Sequence, residues 1–226
     1  MKKLISIGSI AVILLAAPCL FGCSDDDGAR EAFERYYNEK IALFEGENKE
    51  YEKNEVDVVF LGDSLTDGYD LEKFYPDYLT LNRGISGDTT VGLEKRLKVC
   101  AYDVQPKAVV MLIGANNMDS MLDNYESILS GFKENLPNSK IILLSLTSMS
   151  KEWGKKNQLA AYNNVQIKML AQKYDYYYVD LYSALLNLET GEIYDEYTTD
   201  GGHLTDKGYT VLTENITPVL KEALEK

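Results

Sequence analysis

Five short runs of apolar, largely β-branched or aromatic residues recur along the chain: Val56 to Leu61, Leu79 to Asn82, Ala108 to Ile113, Ile141 to Leu146 and Tyr176 to Leu181. Each is too short for a helix and too apolar for an exposed strand. Between them, around residues 89–101, 121–135 and 157–173, and again from Thr205 to Leu224, apolar residues recur every three or four positions, the spacing of a helix with one buried face. A strand that returns through a helix pairs in parallel with its neighbour, so the alternation predicts a parallel sheet covered by helices on both faces. All its strands then end on one edge, where turns far apart in sequence meet. Upstream, Phe33, Tyr36, Tyr37, Ile41 and Phe44 lie at helical spacing between Ala29 and Glu47, which predicts an amphipathic helix packed on the same domain.

The first residues have a different layout. Met1, Lys2 and Lys3 precede an apolar stretch from Ile5 to Gly22, the pattern of a secretory signal peptide over 1–22. A single membrane anchor is the alternative, and Pro18 weakens it. Leu20-Phe21-Gly22-Cys23 resembles the lipobox of bacterial lipoproteins, which implies cleavage before Cys23 and lipidation of that cysteine. Residues 23–28 then form an acidic tether, Ser24-Asp25-Asp26-Asp27-Gly28, similar to signals that display lipoproteins on the outer cell surface, and the domain occupies 29–226. The membrane is thus an expected partner through the N-terminal lipid anchor, at the cell envelope. Of three cysteines only Cys100 remains inside the domain, so no disulfide framework is possible, and its helical context marks it as a small buried apolar residue. A net charge of −13, more negative once Lys2 and Lys3 are removed, argues against a nucleic-acid partner.

The chemistry gathers at the ends of the runs. Val58 to Leu61 leads into Gly62-Asp63-Ser64-Leu65, which stands the Ser64 hydroxyl at the carboxyl edge of the sheet. Taken alone, Ser64 with Asp67 three residues on also fits a helix cap. The chain has one histidine, His203, in Thr199-Asp200-Gly201-Gly202-His203-Leu204. A serine hydroxyl needs an imidazole to take its proton and a carboxylate to hold the imidazole in the right tautomer. Asp200 is the nearest candidate, reached across two glycines. Two more turns, Asn82 to Asp88 and Ile113 to Asn117, fall on the same edge. The backbone N–H groups of Ser64 and Gly87 and the Asn116 amide can there form an oxyanion hole, each donor contributing about 3 kcal/mol to the transition state.

In order, GDSL, NRGISGDTT, GANN and DGGHL resemble the four blocks of the SGNH/GDSL hydrolase family over nearly all of the chain after Glu55. The resemblance implies Ser64 as nucleophile, Asp200 and His203 as its partners, and Gly87 and Asn116 in the oxyanion hole. It also implies a three-layer α/β/α sandwich whose five-stranded parallel sheet has the flavodoxin-like order 2-1-3-4-5. Asn117 stands where that family usually carries aspartate and Leu204 where it often carries proline, and the first departure bears on how Asn116 is oriented.

The activity expected is that of a carboxylic ester hydrolase working through an acyl-enzyme, without metal or organic cofactor. Its substrate is expected to be a small-molecule or carbohydrate ester with a short acyl group such as acetyl. A lysophospholipase or thioesterase, and a surface lipoprotein that binds glycans without catalysis, are the alternatives. Candidate substrate contacts are Asp63, Trp153 and Tyr197. Asp63, Asp67 and Asp70 do not have the spacing of a calcium loop and read as cap and surface residues, so no metal site is expected. No oligomeric state follows from the sequence.

Overall fold

The computed structural model describes residues 25–226; the signal segment and Cys23 lie outside the described residues. Helix α1 (Asp25–Glu47) begins inside the segment expected to be a tether. Five strands follow, β1 (Val58–Gly62), β2 (Thr80–Gly84), β3 (Ala108–Leu112), β4 (Lys140–Leu144) and β5 (Tyr177–Val179). They pair in parallel in the order β2-β1-β3-β4-β5. This is the order expected from the sequence.

Between and after the strands run α2 (Ser64–Asp67), α3 (Leu71–Phe74), α4 (Thr90–Leu97), α5 (Leu122–Asn135), α6 (Lys151–Gly154), α7 (Asn157–Tyr174), α8 (Leu181–Leu185) and α9 (Asp206–Glu225). A two-stranded hairpin, β6 (Leu186–Asn187) with β7 (Glu192–Ile193), joins α8 to the loop before α9. Alternate residues of the central strands feed two separate cores. Val59, Leu61, Val109 and Met111 pack with residues of α1, α4, α5 and α7. Val58, Phe60, Val110 and Leu112 pack with residues of α2, α8 and α9. Because every residue of β1 and β3 is buried, the sequence shows continuous apolar runs instead of alternation.

Helix α1 is held at both ends of its packed face. Phe44 is buried, and the Arg83 guanidinium lies 4.6 Å from its ring centroid while also reaching Glu47 and Asn48. Nearer its start, Lys40 and Tyr36 both bond Asp67.

Candidate active site

At Gly62 the backbone leaves β1 and turns at Asp63 into α2, so Ser64 is the first helical residue at the carboxyl edge of the sheet. The cap is Asp63, not Ser64: its carboxylate accepts the Leu65 N–H at 3.2 Å. Asp67, which the sequence paired with Ser64 in a capping pattern, instead accepts the Lys40 ammonium at 2.7 Å, the Ser86 hydroxyl at 2.6 Å and the Tyr36 hydroxyl. The Ser64 hydroxyl is therefore left available, half-buried on the rim.

Capping also removes Asp63 from the substrate contacts expected of it. The turn drives its side chain inward beside Leu65, Leu112 and Met118, and it is 1% exposed. Burial pushes its carboxyl up to about 6, against the pull of the Leu65 N–H.

His203 approaches from the loop before α9. Its Nε2 lies 3.1 Å from Ser64 Oγ, and its Nδ1 lies 2.7 Å from Asp200 Oδ2. With the Nδ1 proton held by a carboxylate, Nε2 is the ring atom that accepts from the serine. The other Asp200 oxygen accepts the backbone N–H groups of Gly202 and His203. Burial works to raise the Asp200 carboxyl, but these N–H donors and the imidazole outweigh it and bring it down to about 2. The loop is folded upon itself by Thr198, whose hydroxyl donates to the His203 carbonyl and accepts the Gly201 N–H. Gly201 has φ +97, and a Cβ there would stand 2.3 Å from the Ser150 carbonyl, so only glycine fits this approach to the loop after β4.

The remaining turns lie on the same rim. Gly87 has φ +82, and among the described residues neither its N–H nor that of Ser64 has a protein acceptor. The Asn116 amide donates to the Asp88 carbonyl at 2.8 Å, which fixes its plane and leaves its second N–H unspent. Asn117 does not orient Asn116. It accepts the Thr90 N–H and donates to the Thr90 hydroxyl at the start of α4, so the departure at this position leaves the Asn116 bond intact.

Two residues with no assigned role in the sequence tie these turns together. Arg96 is 2% exposed; its guanidinium bonds the Asp88 carboxylate at 2.7 Å, the Gly62 carbonyl at 2.8 Å and the Arg83 carbonyl at 2.7 Å, and reaches Cys100 Sγ at 3.1 Å. It thus joins the ends of β1 and β2 to the residue after Gly87. Cys100 is buried as expected, though as a neighbour of this charge and not among hydrocarbon alone. Asn82 donates to the Thr66 and Tyr69 carbonyls and accepts the Gly84 N–H, linking β2 to the turn after Ser64.

Trp153 stands edge-on to His203, ring centroids 6.3 Å apart, and a Cβ on Gly202 would lie 3.1 Å from its indole. It backs the histidine loop. Tyr197 packs half-buried against the core beneath α9 and edge-on against Tyr194, with no hydrogen bond to Ser64 or His203. Among the described residues no three His, Cys, Asp or Glu side chains gather as metal ligands.

A family model described as GDSL-like Lipase/Acylhydrolase matches residues 60–211, more than half of the chain. Among solved structures, a Streptococcus pneumonia protein named for platelet activating factor superposes with a TM-score of 0.79 at 24% identity, covering 88% of this chain and 100% of that one. A GDSL-like lipase from Bacteroides thetaiotaomicron gives 0.69 at 25% identity, covering 84% and 98%. An acetylxylan esterase from Geobacillus stearothermophilus gives 0.61 at 21% identity, covering 74% and 95%. No curated protein sequence matches this chain.

Proposed function

This chain belongs to the GDSL-like lipase/acylhydrolase family, and from that premise we propose that it is a serine esterase with Ser64 as nucleophile, His203 as its base and Asp200 as the group that orients the base. One observation carries the reading: the only imidazole of the chain has one nitrogen 3.1 Å from a serine hydroxyl and the other on a carboxylate.

In the proposed reaction Ser64 Oγ attacks the ester carbonyl carbon as its proton passes to His203 Nε2. The carbonyl oxygen becomes an oxyanion facing the Ser64 and Gly87 N–H groups and the Asn116 amide. Collapse breaks the bond to the alcohol, which leaves with the proton from His203. A water then gives its proton to the same nitrogen and attacks the acyl-enzyme, releasing the acid and restoring the serine hydroxyl. Asp200 stays ionised throughout, because its carboxyl is held near 2.

The substrate in this reading is an ester of a short acyl group on a carbohydrate. The inner space lined by Asp63 and Leu65, the residues on either side of Ser64, with Leu112 and Met118, amounts to about 10 Å³, room for a water at most and not for an alkyl chain. The same fold serves the Geobacillus acetylxylan esterase, which makes acetylated polysaccharide the first substrate to offer. Cys23 is the proposed site of lipidation, anchoring the enzyme to the cell envelope at its outer surface.

The test is an ester panel combined with a fluorophosphonate probe. The chain is expected to label, to cleave 4-nitrophenyl acetate faster than the octanoate, and to lose both properties in Ser64→Ala. Labelling that survives in Ser64→Ala would refute the nucleophile, and faster octanoate cleavage would refute the short acyl group. Cys23→Ala is expected to release the chain from the membrane fraction.

A further inference from the structure

Between α1, the Gly87 turn and α4 lies a cavity of about 450 Å³ that the reaction outlined above leaves unused. Its volume falls in the range of small-molecule sites and far exceeds what an acetyl group needs. Phe33 and Asn38 line it from α1, Thr89 from the turn and Lys95 from α4, with Gly87 between them. We propose that this cavity is the subsite for the alcohol half of the ester, a sugar ring laid on Phe33 with its hydroxyls directed to Asn38, Thr89 and Lys95. The catalytic side of this inference rests on the esterase reading; the binding side does not.

Position supports it first. Gly87 belongs both to this cavity and to the proposed oxyanion donors, so an ester carbonyl at its N–H has the cavity as its neighbour. A Cβ at Gly87 would stand 3.2 Å from the Phe33 ring, which places the aromatic edge directly over that turn.

The wall is also fixed. Phe33 pairs with Tyr37, ring centroids 6.0 Å apart, and the Tyr37 hydroxyl donates to the Gly92 carbonyl of α4. Asp67 joins Lys40 and Tyr36 of α1 to Ser86, the residue before Gly87. The α1 face therefore keeps its position relative to the reacting groups.

Chemistry decides between a sugar and an acyl chain. Phe33, 38% exposed, forms an apolar wall with Tyr37 and Val91 and offers a ring to stack on, while an amide, a hydroxyl, an ammonium and the Glu34 carboxylate surround it. A sugar has an apolar C–H face and a girdle of hydroxyls, and matches both. An alkyl chain would desolvate those polar groups and return no hydrogen bonds.

Two measurements on the full chain test the subsite. In calorimetric titrations of Ser64→Ala with acetylated xylobiose, adding Phe33→Ala is expected to weaken binding by about fivefold or more. With Ser64 present, Phe33→Ala and Asn38→Ala are expected to lower the ratio of kcat/KM for acetylated xylobiose to that for 4-nitrophenyl acetate by a similar factor. An unchanged ratio, or loss of 4-nitrophenyl octanoate cleavage in preference to the sugar ester, would overturn the assignment. Should the parent chain cleave neither ester while Ser64→Ala still binds the sugar in a Phe33-dependent way, the esterase reading fails and the subsite stands. If Phe33-dependent binding is missing as well, both fall.

Discussion

Two aspartates flank the Ser64–His203 pair, and their surroundings push them in opposite directions. Asp63, on the serine side, is buried with one N–H donor and is raised to about 6. Asp200, on the histidine side, is held down to about 2 by the imidazole and two backbone N–H groups. The difference extends beyond the two carboxylates. The serine side is stitched from distant elements through the buried Arg96–Asp88 pair, whose side chains are 1% and 2% exposed. The histidine side is a local loop, its imidazole and carboxylate 34% and 48% exposed. One half of the site is thus part of the core, and the other is a self-contained turn laid against it.

The sharpest way to break this comparison is to remove the imidazole. His203→Ala is expected to cost about six orders of magnitude in kcat in ester hydrolysis, as loss of the base of such a triad does. Its stability should change by less than about 1 kcal/mol, because the side chain is partly exposed and the loop keeps its Thr198 bonds. Urea unfolding of the variant measures this directly. A large drop in stability would show that the histidine side is not the independent turn described here.

The converse change is Arg96→Met. Removing the guanidinium leaves the buried Asp88 carboxylate with the Thr89 N–H but no counter-charge and takes one donor each from the Gly62 and Arg83 carbonyls, and breaking a buried pair in this way costs about 3–5 kcal/mol. Urea midpoints should fall accordingly, and Asp88→Asn combined with Arg96→Met should recover part of the loss. Equal destabilisation in the double variant would mean that the carbonyl contacts, not the ion pair, hold the serine side.

The same division explains what could be read from the sequence. Asp200 and His203 are three residues apart, so their pairing is a local property of a glycine turn, and the strands announce themselves as apolar runs. Gly87 and Asn116 were legible as turns after strands. Arg96 was not, since two of its four partners are backbone carbonyls, which carry no sequence signature. A signal existed: Arg96 sits on the helical face of Leu93 and Cys100, a charge within a buried stripe. Asp67 was misread for a related reason. Its spacing from Ser64 fits a local cap, but its real partners, Tyr36, Lys40 and Ser86, are brought in by tertiary packing. The Asp63 burial follows from the same tertiary demand, as the turn out of β1 has nowhere to point that side chain except into the core.

The smallest expected effect is a difference in pH dependence between the two carboxylates. Burial raises the Asp63 carboxyl to about 6 in the fold, against 3.8 for a free aspartate side chain, so the folded chain binds this proton more tightly than the unfolded chain. Stability contributed by the group is present below pH 3.8 and is lost as pH rises through 6, amounting to about 3 kcal/mol at most. Asp63→Asn keeps the acceptor for the Leu65 N–H and cannot ionise. Relative to the parent, the variant should therefore gain stability between pH 4 and 7 and stay level above that; any fixed cost of burying the amide shifts the curve without changing its slope. Asp200→Asn should behave otherwise. Its carboxyl is lowered, so its own contribution is present above pH 3.8 and is lost only as pH falls towards 2. Urea unfolding at pH 4, 5, 6, 7 and 8 decides it: parallel curves for Asp63→Asn and the parent would mean that the serine-side carboxylate is as well solvated as the one beside the histidine, and the contrast between the two flanks would be lost.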